Sequence, residues 1–253
     1  MAFPRGPLPA RPRPIRATVG SRHAPKDTYA SYEGRPDVSA SQSAVAATLL
    51  DRHGSTYARE AGITLKDTPQ PLYQLLVLSS LLSARIRASV AVAAARALFH
   101  DGMRNPRTMA DASWQERVDA LGEGGYRRYD ERTATQLGDG AELLLDAHRG
   151  DLRQLREEAD GDEQTLVQGL RETPGMGPAG AGIFLREAQA VWPEYAPRFD
   201  GKARQGAERL GLPQDPKRLA RLAGDAGPAV LAAALVRAAL EKKVAADVLQ
   251  HAG

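Results

Sequence analysis

The sequence predicts an all-α protein. Three observations carry this. Apolar residues recur at three- and four-residue spacing across most of the chain beyond residue 38. Polar caps, Gly and Pro punctuate those stretches where helices start and stop. No segment alternates apolar and polar residues in the way a half-buried strand would.

Taken in order, residues 1–38 alternate Pro and Arg with few large apolar side chains, so they are expected to form a disordered basic arm. Residues 39–54, SASQSAVAATLLDRHG, run from polar residues through an Ala/Leu-rich middle to a closing Gly, as a helix does. The dense apolar stretch 69–99 is expected to be two helices, because polar residues interrupt it near Ser83–Arg87. A short helix follows the Ser113 cap. In 129–150, Ala134, Leu137, Ala141, Leu144 and His148 share one helical face. Residues 162–172 and 177–191 are helices flanking a Pro-Gly turn, and 201–211 and 215–224 are two more. The apolar run 231–250 reads as a single closing helix.

Composition narrows the chemistry. The 253 residues contain no Cys, which excludes disulfides, cysteine zinc sites, a thiolate-held iron–sulfur cluster and a Cys nucleophile. His100, His148 and His251 are too scattered along the chain to suggest a metal site. No apolar run has the length of a bilayer span, and no apolar segment at the N-terminus reads as a secretory signal, so no membrane association is expected. A cytoplasmic location suits this composition. In residues 1–38, seven basic side chains stand against three acidic ones, giving +4; the whole chain is +3, so residues 39–253 sum to −1. Any attraction to phosphate must therefore come from a local patch or from the arm.

The most informative local pattern is Pro174-Gly175-Met176-Gly177 between two helices. Pro174 stops the first helix through its missing N–H and its ring. Gly175 and Gly177 are both expected to occupy turn conformations that other residues resist, and Met176 to point inward and pin the hairpin. Pro178 suits the first turn of the next helix. N–H groups left open at such a turn can meet a phosphate oxygen.

With this hairpin, three further features stand in order: Leu81-Leu82-Ser83-Ala84-Arg85, a Gly-aromatic segment from Gly124 to Ala134, and Phe199-Asp200 some twenty-five residues beyond Pro174. Over about residues 70–212 the chain resembles the helix-hairpin-helix glycosylase superfamily typified by endonuclease III. The resemblance implies two helical lobes with a DNA-binding cleft between them. The expected divisions are 39–67 and 196–253 joined as one lobe, and 68–195 as a central bundle with the helix-hairpin-helix at 164–189. It also implies a base-excision DNA glycosylase acting as a monomer near the nucleoid on duplex DNA that carries a damaged or mismatched base.

Asp200 matches the family's catalytic Asp, where a carboxylate stabilises positive charge developing on the sugar. Asp is equally an N-cap residue, and the two roles are compatible. Ala179 falls where lyase members carry a Lys, so the resemblance implies hydrolysis without strand cleavage. Lys202 is expected to face phosphate. Arg85 matches the residue that fills the gap left by a flipped nucleotide, and Tyr126 or Arg127 would supply a second plug. Without Cys the family's iron–sulfur cluster cannot form, and the only cofactor the resemblance leaves is a monovalent cation on the hairpin carbonyls. Pro178 and Ala179, together with the nearly neutral body, keep two alternatives open. One is a helix-hairpin-helix protein that binds DNA without chemistry; the other is an all-α interaction protein.

Overall fold

A computed structural model describes residues 40–252; the basic arm, 1–38, lies outside them. The described residues are all-α, with no strand. α1 (Ala40–His53) and the single turn α2 (Tyr57–Glu60) come first. α3 (Pro69–Ser83) and α4 (Ala88–His100) follow. The chain breaks at Ala84–Arg87, whose terminal residues have extended backbone, as the polar interruption there requires. α5 (Pro106–Asp111) and α6 (Trp114–Glu123) both begin with capping boxes, Asn105 with Thr108 and Ser113 with Glu116. α7 (Asp130–His148) buries Ala134, Leu137, Ala141 and Leu144, the face expected from their spacing.

The reading of the sequence did not pick out α2, α5 or α8 (Leu152–Ala159). The signal for α8 was present: an Asp151 cap, then Leu152, Leu155 and Ala159, all buried. Five charged or amide side chains between them masked that stripe. α9 (Glu163–Glu172) and α10 (Pro178–Ala188) form the hairpin pair. A 3-10 turn at Pro193–Tyr195 leads to α11 (Gly201–Arg209) and α12 (Pro216–Ala223). The closing apolar run is two helices and not one, α13 (Pro228–Leu240) and α14 (Lys242–His251). The break falls at Glu241, which has extended backbone, and it turns Val244, Ala245 and Val248 inward beside α1 and α13. A straight helix would have carried these residues away from that core.

α1 packs on α12, α13 and α14, and α11 lies along α13. At Gly206 the two backbones nearly touch: a Cβ there would sit 1.9 Å from the Leu235 carbonyl oxygen. The remaining helices pack in a chain of neighbours, α3 on α4, α4 on α6, α6 on α7, and α8 on α9. α10 joins the two groups, touching α3 and α9 on one side and α13 on the other. Its buried face, Ala181, Phe184, Leu185 and Ala188, is core. Trp192, fully buried just beyond it, stacks edge-on against Phe184 at 5.5 Å and donates its indole N–H to Asp67 at 2.9 Å. These contacts hold the end of the hairpin fixed relative to the segment that follows.

Candidate active site

The hairpin forms from its punctuation. Thr173 ends α9, Met176 N donates to Thr173 O at 2.9 Å, and α10 starts at Pro178. Met176 is buried and packs against Gly180, where a Cβ would stand 2.4 Å from the methionine sulfur. Gly175 has φ +81°, which requires glycine, and a Cβ there would also displace the Gln136 amide, 2.7 Å away. Gly177 differs from expectation. Its φ of −83° suits any residue, and a Cβ would meet nothing within 4 Å. Its glycine leaves open space, and is not needed for the backbone path. Among the described residues the N–H groups of Gly177 and Ala179 have no backbone acceptor.

Beyond α10, Gln189 clamps the descending chain. Its amide nitrogen donates to the carbonyls of Arg186 and Arg198, and its oxygen accepts from Arg198 N at 2.8 Å. The chain is thereby delivered to Phe199, which is buried, and to Asp200 at the head of α11. Asp200 is an N-cap: one oxygen, Oδ1, accepts from Lys202 N at 3.0 Å and Ala203 N at 2.9 Å. The other, Oδ2, accepts from Arg186 Nη1 at 2.6 Å. Arg186 is 4% exposed and its Nε has no partner among the described residues, whereas the Asp200 side chain keeps 19% exposure.

Arg186, Glu187, Tyr57 and Arg237 support Asp200 from behind, and sequence reasoning missed all four. The Tyr57 ring lies between Arg237, at 4.3 Å, and Arg186, at 5.9 Å. Glu187 accepts from Tyr57 N and Ala58 N, both at 2.7 Å, and so caps α2 from inside the core. Burial pushes the Glu187 carboxyl above its ordinary range, against the pull of these two N–H groups and of Arg186 and Arg237. The signal was a charged pair, Arg186-Glu187, inside a helix whose other inward positions are apolar; only the fold supplies its partners.

Asp200 opens onto a groove of about 660 Å³. Pro178, Ala179 and Gly182 of α10 form one wall, and Gly201, Lys202 and Gln205 of α11 another. Leu82, Ile86, Val236 and Leu240 make the rest largely apolar. The structure thus brings together Asp200, Ala179 and Lys202. Lys202 is exposed and its Nζ reaches Gln205 Oε1 at 3.0 Å.

A separate recess of about 380 Å³ holds Arg85, Tyr126, Arg132 and Gly175 beside the hairpin. Arg85 is exposed at the break between α3 and α4. Tyr126 is only 3% exposed, with its hydroxyl 3.3 Å from Thr133 Oγ1, so it supports the turn and cannot reach out as a plug. Arg127, its neighbour, is exposed.

Scans against protein-family models and curated proteins give no match. Among solved structures, the chain is similar to that of a trapped endonuclease III–DNA covalent intermediate, an estranged-adenine complex. The likeness covers 76% of this chain and 82% of that one, with a TM-score of 0.44 and 15% identity.

Proposed function

We propose that the chain is a DNA glycosylase that hydrolyses the N-glycosidic bond of a damaged or mismatched base rotated out of duplex DNA. One observation carries the reading: Asp200 and the first turn of the hairpin's second helix line the same groove. A groove of this size is in the range that holds a small organic ligand, and its walls are mostly apolar, as the faces of a base require.

In this reading the N–H groups at Gly177 and Ala179 hold a backbone phosphate. The open space over Gly177 lets that phosphate come close. Arg85 fills the gap in the stack, and Arg127 lies outside it on the exposed turn. A carboxylate has about four acceptor sites, and three on Asp200 are taken. The remaining one on Oδ2 can face the anomeric carbon as positive charge builds there, or orient the attacking water. Ala179 supplies no amine at the position where a Schiff base would form, which supports hydrolysis without strand cleavage. Lys202, tethered to Gln205, is suited to phosphate.

A second reading, a DNA binder without chemistry, is favoured by the Arg186–Asp200 bond. That bond already offsets the charge a catalytic carboxylate would direct at the sugar. The test is excision from duplexes that each carry one damaged or mismatched base, read as strand breaks after hot alkali. Excision by the wild type and none by Asp200→Asn supports the glycosylase. Binding without excision by the wild type moves the assignment to the second reading, and a wild type that neither excises nor binds removes DNA from both.

A further inference from the structure

A second concavity, of about 1240 Å³, shares no lining residue with the Asp200 groove. Its floor is the outer face of α4. Ser89, Ala93, Arg96 and His100 stand at i, i+4, i+7 and i+11, all are exposed, and all line the cleft. At 1.5 Å per residue this face is on the order of 16 Å long. The linker before α3 forms one wall, and Glu123–Gly124 lines the opposite side.

The cleft is cationic in an otherwise nearly neutral body. The side chains of Lys66 and Arg96 have no acceptor or acidic partner among the described residues, and the Arg104 side chain donates only through Nε, to Phe99 O at 2.6 Å. Of the two carboxylates in the lining, Glu60 is committed to Arg237 at 2.7 Å. Three cations in the lining therefore stand against Glu123 and a Glu60 that is already paired. Concave walls focus such a field.

Two further features point to an anionic, hydrogen-bond-accepting ligand. Gln74 lines the cleft at 9% exposure, and its amide has no partner among the described residues. Its amide stays open to the solvent of the cleft, so its N–H groups are free to donate to a ligand oxygen. Ser89 in the first turn of α4 lines the cleft, and that helix has no side-chain cap to occupy its open N–H groups; α3 adds only the Gln70 N–H, because Pro69 and Pro71 carry none.

We propose that this cleft binds a run of successive phosphate groups, with Lys66, Arg96 and Arg104 as counter-charges and Gln74 as the buried donor. The run belongs either to a nucleic-acid strand or to a free nucleoside triphosphate. Neither source depends on Asp200, so loss of the glycosylase reading leaves this one standing.

The test uses the full chain, with fluorescence anisotropy of fluorescein-labelled dT12 and of a fluorescent ATP at 50 and 200 mM KCl. Reversing two charges in Lys66→Glu/Arg96→Glu is expected to weaken the bound probe at least fivefold and to flatten its salt dependence. Lys217→Glu/Lys242→Glu makes the same charge change at exposed positions outside both cavities and is expected to weaken it less. Gln74→Met, close in volume, is expected to lower affinity because it removes that donor. A loss confined to dT12 assigns the strand, and a loss confined to ATP assigns the nucleotide. The proposal is overturned if the wild type binds neither probe or the Lys66/Arg96 reversal costs less than fivefold. It is equally overturned if the Lys217/Lys242 reversal costs as much, or if Gln74→Met leaves the affinity unchanged.

Discussion

Replacing Gly206 by Ala tests how closely α11, the helix that starts at Asp200, depends on α13. An added Cβ would lie 1.9 Å from Leu235 O and 2.7 Å from Leu235 C. To reach even 3.0 Å the two helices must separate by about 1.1 Å, and no rotamer change helps, because the obstacle is backbone. α13 cannot yield easily, since Leu231 through Ala239 are all buried. Overpacking of this kind costs about 3 kcal/mol, and the better helix propensity of Ala returns about 1 kcal/mol. The net loss is about 2 kcal/mol, or roughly 4–8 °C in Tm for a domain of this size. Circular dichroism at 222 nm through a thermal ramp reads it. Gly182→Ala is the matched control: it too is a helical glycine, but its Cβ meets nothing within 4 Å. That variant is expected to be neutral or up to about 1 kcal/mol more stable. A Gly206→Ala protein as stable as the wild type would refute the close approach, and with it the placement of Asp200 by α13.

Three further perturbations follow from the same geometry. Met176→Ala empties a buried site under the hairpin and is expected to cost about 2–4 kcal/mol; urea denaturation measures it, and a loss below 1 kcal/mol would mean Met176 does not pin the turn. Gly175→Ala forces a φ of +81° on Ala and a clash with Gln136, so a loss of about 1–3 kcal/mol is expected, together with weaker DNA binding in a gel-shift assay. Glu187 has a raised folded pKa, so its neutral form favours the fold. This contribution is complete below about pH 4.5 and is lost as pH rises through the folded value. The pH dependence of Tm should therefore be flatter above pH 4.5 in Glu187→Gln than in the wild type; parallel curves would contradict the burial of the ionisable carboxyl.

The sequence by itself determined most of the longer helices and the position of the hairpin. Periodicity and punctuation are local: Pro174 and Pro178 mark the two edges of the turn, Ser113 caps α6, and the spacing of Ala134, Leu137, Ala141 and Leu144 sets the inward face of α7. Helix-forming preferences and caps act within a few residues, so a single sequence displays them. Where local signals conflict, tertiary packing decides. The run 231–250 is apolar enough to be one helix, yet breaks at Glu241 because folding back buries Val244 and Val248. Gly177 reads like Gly175 in the sequence, and only the backbone shows that one needs its glycine for conformation while the other leaves space.

The site divides in the same way. Asp200 and Ala179 could be picked out by position in a pattern, but that they share a groove depends on α10 packing against α13. The partners of Asp200 were not legible at all. Arg186 lies 14 residues before it, Tyr57 and Glu187 are 130 apart, and Arg237 reaches back to Ser55 across 182. Each is a charged or aromatic side chain that in sequence looks like surface or core. They become one arrangement only when α2, α10, α11 and α13 converge, because a buried charge is tolerated only where distant chain segments bring it a partner.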